Sequence, residues 1–356
     1  MISGRLIGRF KNFVRLLRSI KVGLFLRRSA GRVARVFEPV NPLSWVFGRP
    51  PTSERVEHIW PPQNFSARSA ILWRLLDEPL ARRGVFQPQI PRSGKLRFTT
   101  FHDEHLIIAS ALKSISVRPE DCFFVDIGAG DGIDMSNTFL LAEQEAKGIA
   151  LEFNPSKFSM MAVTYRALPN IQLARVPVTP RNVVALLEGL GCPKEVTLLN
   201  LDIDSYDYDV LESILLSFSF RFLCLEINPI FPFDIEFKVN FPATEWAGDT
   251  FHGMSLSMAY RLLRDNGYEI THLDRSFLFA TRKDAVANPL QPIPSDRLEA
   301  TLDQSLVGSS WDQVLKLYRG RPVGDILSSL EDLFAGKPDG AYTMKLSSSK
   351  VTKPTL

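Results

Sequence analysis

From residue 99 onward, short apolar runs alternate with stretches in which apolar side chains recur every three or four positions. The runs predict strands over 122–127, 148–152, 171–176, 196–203 and 220–227, and two later ones over 269–274 and 276–280. The periodic stretches predict helices over 103–116, 134–146, 156–167, 181–190, 207–217 and 254–266. Alternating helices and strands, with strands apolar on both faces, predict an α/β fold with a doubly wound, mainly parallel sheet. Only Arg275 separates the last two strands, which predicts an antiparallel hairpin at the sheet edge. Beyond this core, the pattern predicts helices near 310–318 and 323–334, then a polar, disordered tail from 347.

The first 98 residues follow a different pattern. Leu6, Phe10, Phe13, Val14, Leu17, Ile20 and Leu24 give one apolar face at helical spacing, and Arg5, Arg9, Lys11, Arg15, Arg18 and Lys21 fill most of the rest. Six prolines between 39 and 62 predict an extended connector, followed by a helix over 66–83. The expected organisation is therefore a basic arm (1–37), a proline-rich connector with one helix (38–98), a core domain (99–283) and a C-terminal extension (284–356).

Charge sharpens that division. Of 42 basic residues, ten precede Glu38, the first acid, leaving 32 against 39 acidic residues in the remainder. A basic amphipathic helix lies flat on an anionic membrane surface, each cation adding about 1 kcal/mol. The alternatives are packing against the protein's own body, a mitochondrial transit peptide, and nucleic-acid contact. The acidic remainder disfavours nucleic acid. No apolar run approaches the roughly 18 residues that span a bilayer. The three cysteines, Cys122, Cys192 and Cys224, are far apart and predict a reduced, cytoplasmic chain with no structural metal.

The sharpest chemical signal is Asp126-Ile127-Gly128-Ala129-Gly130-Asp131-Gly132 at the end of the first core strand. Glycines at alternate positions let the backbone turn and approach a ligand closely. The spacing is GxGxG, not the GxGxxG of dinucleotide sites. Asp126 and Asp131 would repel a pyrophosphate but suit a cationic ligand. Glu152 ends the next strand, twenty residues after Gly132, where an acid can accept both hydroxyls of a ribose.

Together, Asp126, Gly128, Gly130, Asp131, Gly132 and Glu152 resemble the S-adenosylmethionine site of class I methyltransferases. Further segments resemble the FkbM-type group: Val178-Thr179-Pro180-Arg181-Asn182, then Asp202-Ile203-Asp204-Ser205-Tyr206-Asp207-Tyr208, Gly253-Met254-Ser255-Leu256 and Asn266-Gly267-Tyr268. The resemblance covers about 99–283. It implies a Rossmann-like methyltransferase sheet and S-adenosylmethionine as cofactor, with Asp202 also on the cofactor side. Ser205-Tyr206 stands where the group carries Gly-Asn, and Met254 where it carries Ala; both departures fall where an acceptor approaches.

Methyl transfer needs an aligned nucleophile and, for a hydroxyl, a base. Asp202 and Asp204 follow one strand, while Glu226 and Asn228 follow the next. They are expected at one sheet edge, as a metal set (Asp202, Asp204, Glu226) for Mg²⁺ or Ca²⁺, as a catalytic base (Asp202 or Asp204) with Glu226 and Asn228 binding substrate, or as helix caps (Asp204, Ser205). His252, before a helix, is a second candidate base or a chemically silent loop residue. His102 and His105, flanking two acids, read as a solvated helix start, with a metal site as the alternative. Phe231, Phe233, Phe237, Phe241 and Trp246 form an aromatic insertion, read as a lid, an acceptor-stacking wall or ordinary packing. Asn228-Pro229-Ile230-Phe231 follows the fifth strand and lacks a second proline, so it is not the NPPY-type signature of amino-group methyltransferases. The expected function is methylation, O-directed, of a glycan, glycolipid or other small hydroxylated acceptor by a cytoplasmic enzyme peripheral to the membrane. The alternative is a non-catalytic membrane-associated scaffold. The oligomeric state is not legible.

Overall fold

The structure is a computed structural model that describes residues 104–133, 135–166, 168–243, 248–285, 291–309, 311–318 and 320–347. The basic arm, the proline-rich connector with its helix, His102, the side chain of His105, Trp246 and the tail beyond 347 lie outside the described residues.

Seven strands form one sheet: β1 (Phe123–Ile127), β2 (Lys147–Glu152), β3 (Ile171–Arg175), β4 (Glu195–Leu201), β5 (Ser219–Glu226), β7 (Tyr268–Asp274) and β8 (Phe277–Arg282). Their order is β3-β2-β1-β4-β5-β8-β7. The first five neighbours pair in parallel, while β8 runs antiparallel to both β5 and β7. The closing hairpin therefore inserts its second strand beside β5, with Arg275 in the left-handed region at its turn (φ 56°).

Apolar side chains alternate between the two faces of the sheet, which explains the unbroken apolar runs. Val125, Ile127, Leu199, Leu201, Leu223 and Leu225 belong to one core. Phe124, Ala150, Leu198, Phe222, Cys224 and Phe279 belong to the other. All are buried, each large side chain contributing about 1.5–3 kcal/mol.

Helices cover both faces. They are α1 (Glu104–Ser114), α2 (Phe139–Glu143), α3 (Pro155–Tyr165), α4 (Val183–Gly189), α5 (Asp207–Leu215) and α6 (Leu256–Asp265). The helix start expected in HDEH is partly corrected, because Glu104 is buried rather than solvated. The helix expected over 134–146 shrinks to α2. Ser136, Asn137 and Thr138 are buried ahead of it, and Ser136 Oγ accepts from Phe139 N at 3.0 Å. Local competition of this kind ends a helix early.

Two strands and one α-helix are absent from the sequence reading: β6 (Ile235–Val239), β9 (Tyr342–Leu346) and α7 (Leu298–Leu306). β6 and β9 pair antiparallel as a separate two-stranded sheet. With α8 (Asp312–Tyr318) and α9 (Val323–Phe334), they pack on the same core as the main sheet. The aromatic insertion is largely that packing. Phe231 and Phe237 are buried and stack at 4.1 Å, with Phe334, Phe251 and Tyr342 around Phe237. Phe241 meets the edge of Tyr206 at 5.0 Å, and the Arg181 guanidinium lies 5.2 Å from its centroid.

Candidate active site

Strand order reverses between β1 and β4, and ligands of open α/β sheets bind at the carboxyl ends of strands beside such a reversal. The 128–132 loop leaves β1 there. Gly128 N and Ala129 N both donate to Leu151 O at 3.0 Å, and Asp202 N donates to Ile127 O at 3.0 Å. The three glycines serve different purposes, although all have positive φ. A Cβ on Gly128 would stand 1.8 Å from Asp202 O, and one on Gly132 would stand 2.6 Å from the Tyr165 ring. A Cβ on Gly130 would meet nothing within 4 Å. Two glycines thus permit internal packing, and the third leaves open space.

Glu152 closes the loop from β2. Its Oε2 accepts from Gly130 N at 2.9 Å, and its Oε1 accepts from Asn154 N at 2.7 Å. Asn154 caps α3, accepting from Ser156 N and Lys157 N. The side chain of Asp131 turns back on its own loop, accepting from Ile133 N at 3.0 Å. Phe153, next to Glu152, is 48% exposed.

Asp126 is placed behind the loop rather than on its surface. It is buried; its Oδ2 accepts from Thr138 Oγ1 at 2.6 Å and its Oδ1 from Asn200 Nδ2 at 2.8 Å. Asn200 Oδ1 in turn accepts from Asn137 Nδ2 at 3.0 Å. Sequence reasoning missed both partners and Asn137 behind them. Asn200, a lone amide in the apolar run of β4, was the available signal.

Burial pushes the Asp126 carboxyl up to about 6, against hydrogen bonds from Thr138 and Asn200 that favour its ionised form. A folded pKa above the unfolded value means that the stability it confers is complete below about pH 4. That stability is lost as pH rises through 6. Asp126→Asn keeps the shape and removes the titration. Between pH 4 and pH 7 the parent should lose about 2–3 kcal/mol more unfolding free energy than this variant. Urea unfolding of both proteins across that range measures it, and parallel pH profiles would refute it.

The acids after β4 and β5 do converge. Asp202 is half-buried; desolvation first, then Glu226, Asp204 and Asp207, hold its carboxyl well above the usual range. Asp207 is the N-terminal residue of α5 and buried, accepting from Ile203 N and Ser205 N, each at 2.9 Å. That turn sets Asp204 in the left-handed region (φ 56°). Asp204, Glu226 and His252 bring one ligand atom each to within 4.8 Å of one another. His252 Nδ1 is 3.5 Å from Glu226 Oε2 and 3.8 Å from Asp204 Oδ1, and its ring is fully buried.

Asn228, expected to meet substrate, is fully buried and holds a loop instead. Its Nδ2 donates to Thr250 O at 2.9 Å and to His252 O at 3.0 Å. It therefore orients the segment that carries His252. Gly253 N donates to Ser205 O at 2.8 Å, tying that segment to the turn after β4.

Fold and site together define a doubly wound, Rossmann-like α/β protein with a glycine loop at the reversal and an acid–histidine cluster beside it. No protein-family model matches the chain, and no curated protein matches it in sequence. Among solved structures, the N-terminal domain of EvdMO1, in the presence of SAH and D-fucose, is similar at 11% identity. The likeness covers 62% of this chain and 99% of that one, with a TM-score of 0.38. The METTL16 MTase domain is similar at 14% identity over 61% and 80% of the two chains, with a TM-score of 0.34. The Methanococcus jannaschii fibrillarin pre-rRNA processing protein is similar at 12% identity over 56% and 84%, with a TM-score of 0.35. Likenesses this remote concern the course of the chain alone.

Proposed function

We propose that this chain is an S-adenosylmethionine-dependent methyltransferase acting on a hydroxyl group of a glycan, glycolipid or similar acceptor. The observation that carries the reading is the Glu152 carboxylate at the end of β2, engaged with Gly130 N beside the open space over Gly130. A carboxylate there suits ribose hydroxyls and a cationic ligand and opposes a phosphate. The exposed Phe153 ring offers a flat apolar surface next to it. These residues fit the cofactor, which when bound supplies an electrophilic methyl group on a sulfonium.

The chain's own task is then to orient the acceptor oxygen and take its proton. Asp202, Asp204, Glu226 and His252 are the groups suited to it, within one sheet edge. Carboxylates and imidazole also suit sugar hydroxyls as hydrogen-bond partners. On the same reading, the basic arm holds the enzyme at an anionic membrane surface. Flotation with anionic vesicles, comparing the full chain with 38–356, tests that part.

Calorimetric titration of S-adenosylhomocysteine into the full chain tests the central claim. Micromolar binding, lost in Gly130→Ala, is expected. A chain that is folded by circular dichroism and binds none would overturn the reading in favour of a non-catalytic scaffold.

A further inference from the structure

One imidazole and two carboxylates meet at the carboxyl ends of β4 and β5. Asp204 follows β4, Glu226 ends β5, and His252 precedes α6. His252 Nδ1 lies 3.5 Å from Glu226 Oε2 and 3.8 Å from Asp204 Oδ1. An N–H···O hydrogen bond holds its heavy atoms about 2.7–3.2 Å apart. Two donors bonded at about 2.1 Å to one ion stand roughly 3–3.5 Å apart at right-angled to tetrahedral geometry. The observed separations lie nearer the second arrangement.

A patch of surface acids would be solvated, but this cluster is not one. His252 is fully buried and Glu226 nearly so. Each donor is held from a different element. The Asp207 turn sets Asp204, β5 carries Glu226, and Asn228 with the Gly253–Ser205 hydrogen bond fixes the His252 segment. Asn228 N also donates to Met254 O at 2.7 Å, which binds that segment to the end of β5.

We propose that Asp204, Glu226 and His252 form a binding site for one first-row divalent metal ion, of the Mn²⁺ or Zn²⁺ class rather than Mg²⁺. The donor set decides the class. Mg²⁺ takes oxygen ligands and water almost exclusively, whereas imidazole suits the first-row transition ions and zinc. The set differs from the one expected from sequence, with His252 in place of Asp202. An ion here would hold an acceptor hydroxyl and make it more acidic. That role rests on the methyl-transfer reading, while metal affinity itself does not.

The test uses the full chain after removal of metal by a chelator. Mn²⁺ binding is followed by electron paramagnetic resonance, and Zn²⁺ and Mg²⁺ binding by calorimetry. One Mn²⁺ site per chain is expected, about ten-fold or more tighter than Mg²⁺. Glu226→Gln and His252→Gln should each weaken Mn²⁺ binding by about ten- to a hundred-fold. If His252→Gln fails to fold by circular dichroism, Glu226→Gln and Asp204→Asn carry the comparison. The proposal is overturned by the lack of a stoichiometric Mn²⁺ or Zn²⁺ site, by a preference for Mg²⁺, or by unchanged affinity in the folded variants. S-adenosylhomocysteine is titrated into the same sample. Its binding without metal binding overturns the metal site alone; metal binding without it overturns the function and leaves the site.

Discussion

Gly128→Ala is expected to cost the protein about 3–5 kcal/mol of stability, the largest loss of any single methyl addition in the site. The added Cβ would stand 1.8 Å from Asp202 O and 2.7 Å from its carbonyl carbon. Both are backbone atoms, so no rotamer change relieves the overlap. Gly128 also has φ +89°, where an L side chain is strained. Nor can the two chains move apart cheaply. Asp202 N donates to Ile127 O, and Gly128 N to Leu151 O, so separation breaks the hydrogen bonds that join β1 to β4 and β2. Gly130→Ala supplies the contrast. Its Cβ enters open space, and only the left-handed backbone (φ +62°) is strained, at about 1–2 kcal/mol. Denaturant unfolding should therefore separate the two variants by about 1–4 kcal/mol. If Gly128→Ala unfolds within about 1 kcal/mol of the parent, the close crossing of the loop over Asp202 is not as described.

That contrast shows what the sequence makes visible and what it hides. The spacing of Gly128, Gly130 and Gly132 announces a turn at a strand end, and the turn is there. Which glycine faces a neighbour and which faces space depends on β4 and α3, far along the chain. The same holds for the strands. Five of the seven runs lie in parallel strands, four of them largely buried on both faces, and their apolar composition alone reveals them within one or two residues. β6 escapes because its partner is β9, more than a hundred residues later, with register Ile235 to Leu346. No local pattern encodes that pairing. Polar residues behave alike. Asp126 and Asn228 are recognisable as acids and amides at strand ends, the right place for chemistry. Only the fold shows that Asp126 binds Thr138 and Asn200, and that Asn228 binds the backbone around His252. His252 was legible as a loop histidine beside a helix start, but its burial against Glu226 and Asp204 required three elements to meet.

Glu152→Ala should abolish measurable cofactor affinity, a loss of at least about a hundred-fold, or roughly 2.7 kcal/mol. Two effects combine. The carboxylate is the group suited to the ribose, and hydrogen bonds to a charged group are worth about 1.5–3 kcal/mol. It also organises the loop, since Oε2 accepts from Gly130 N and Oε1 from Asn154 N, and Glu152 is only 5% exposed. Alanine leaves both N–H groups without that acceptor and frees Gly130, the glycine of this loop that borders open space. Glu152→Gln separates the effects. Its amide keeps one acceptor oxygen, which can retain either Gly130 N or Asn154 N, and turns an NH₂ donor toward the other. It should therefore fold as the parent does and bind S-adenosylhomocysteine about ten-fold more weakly, between parent and alanine variant. Calorimetry on the three proteins at one pH and salt orders them. If Glu152→Ala binds within about three-fold of the parent while its melting is unchanged, the ligand does not use the end of β2. The site would then have to be sought on the other side of the reversal, at the acid–histidine cluster of β4 and β5.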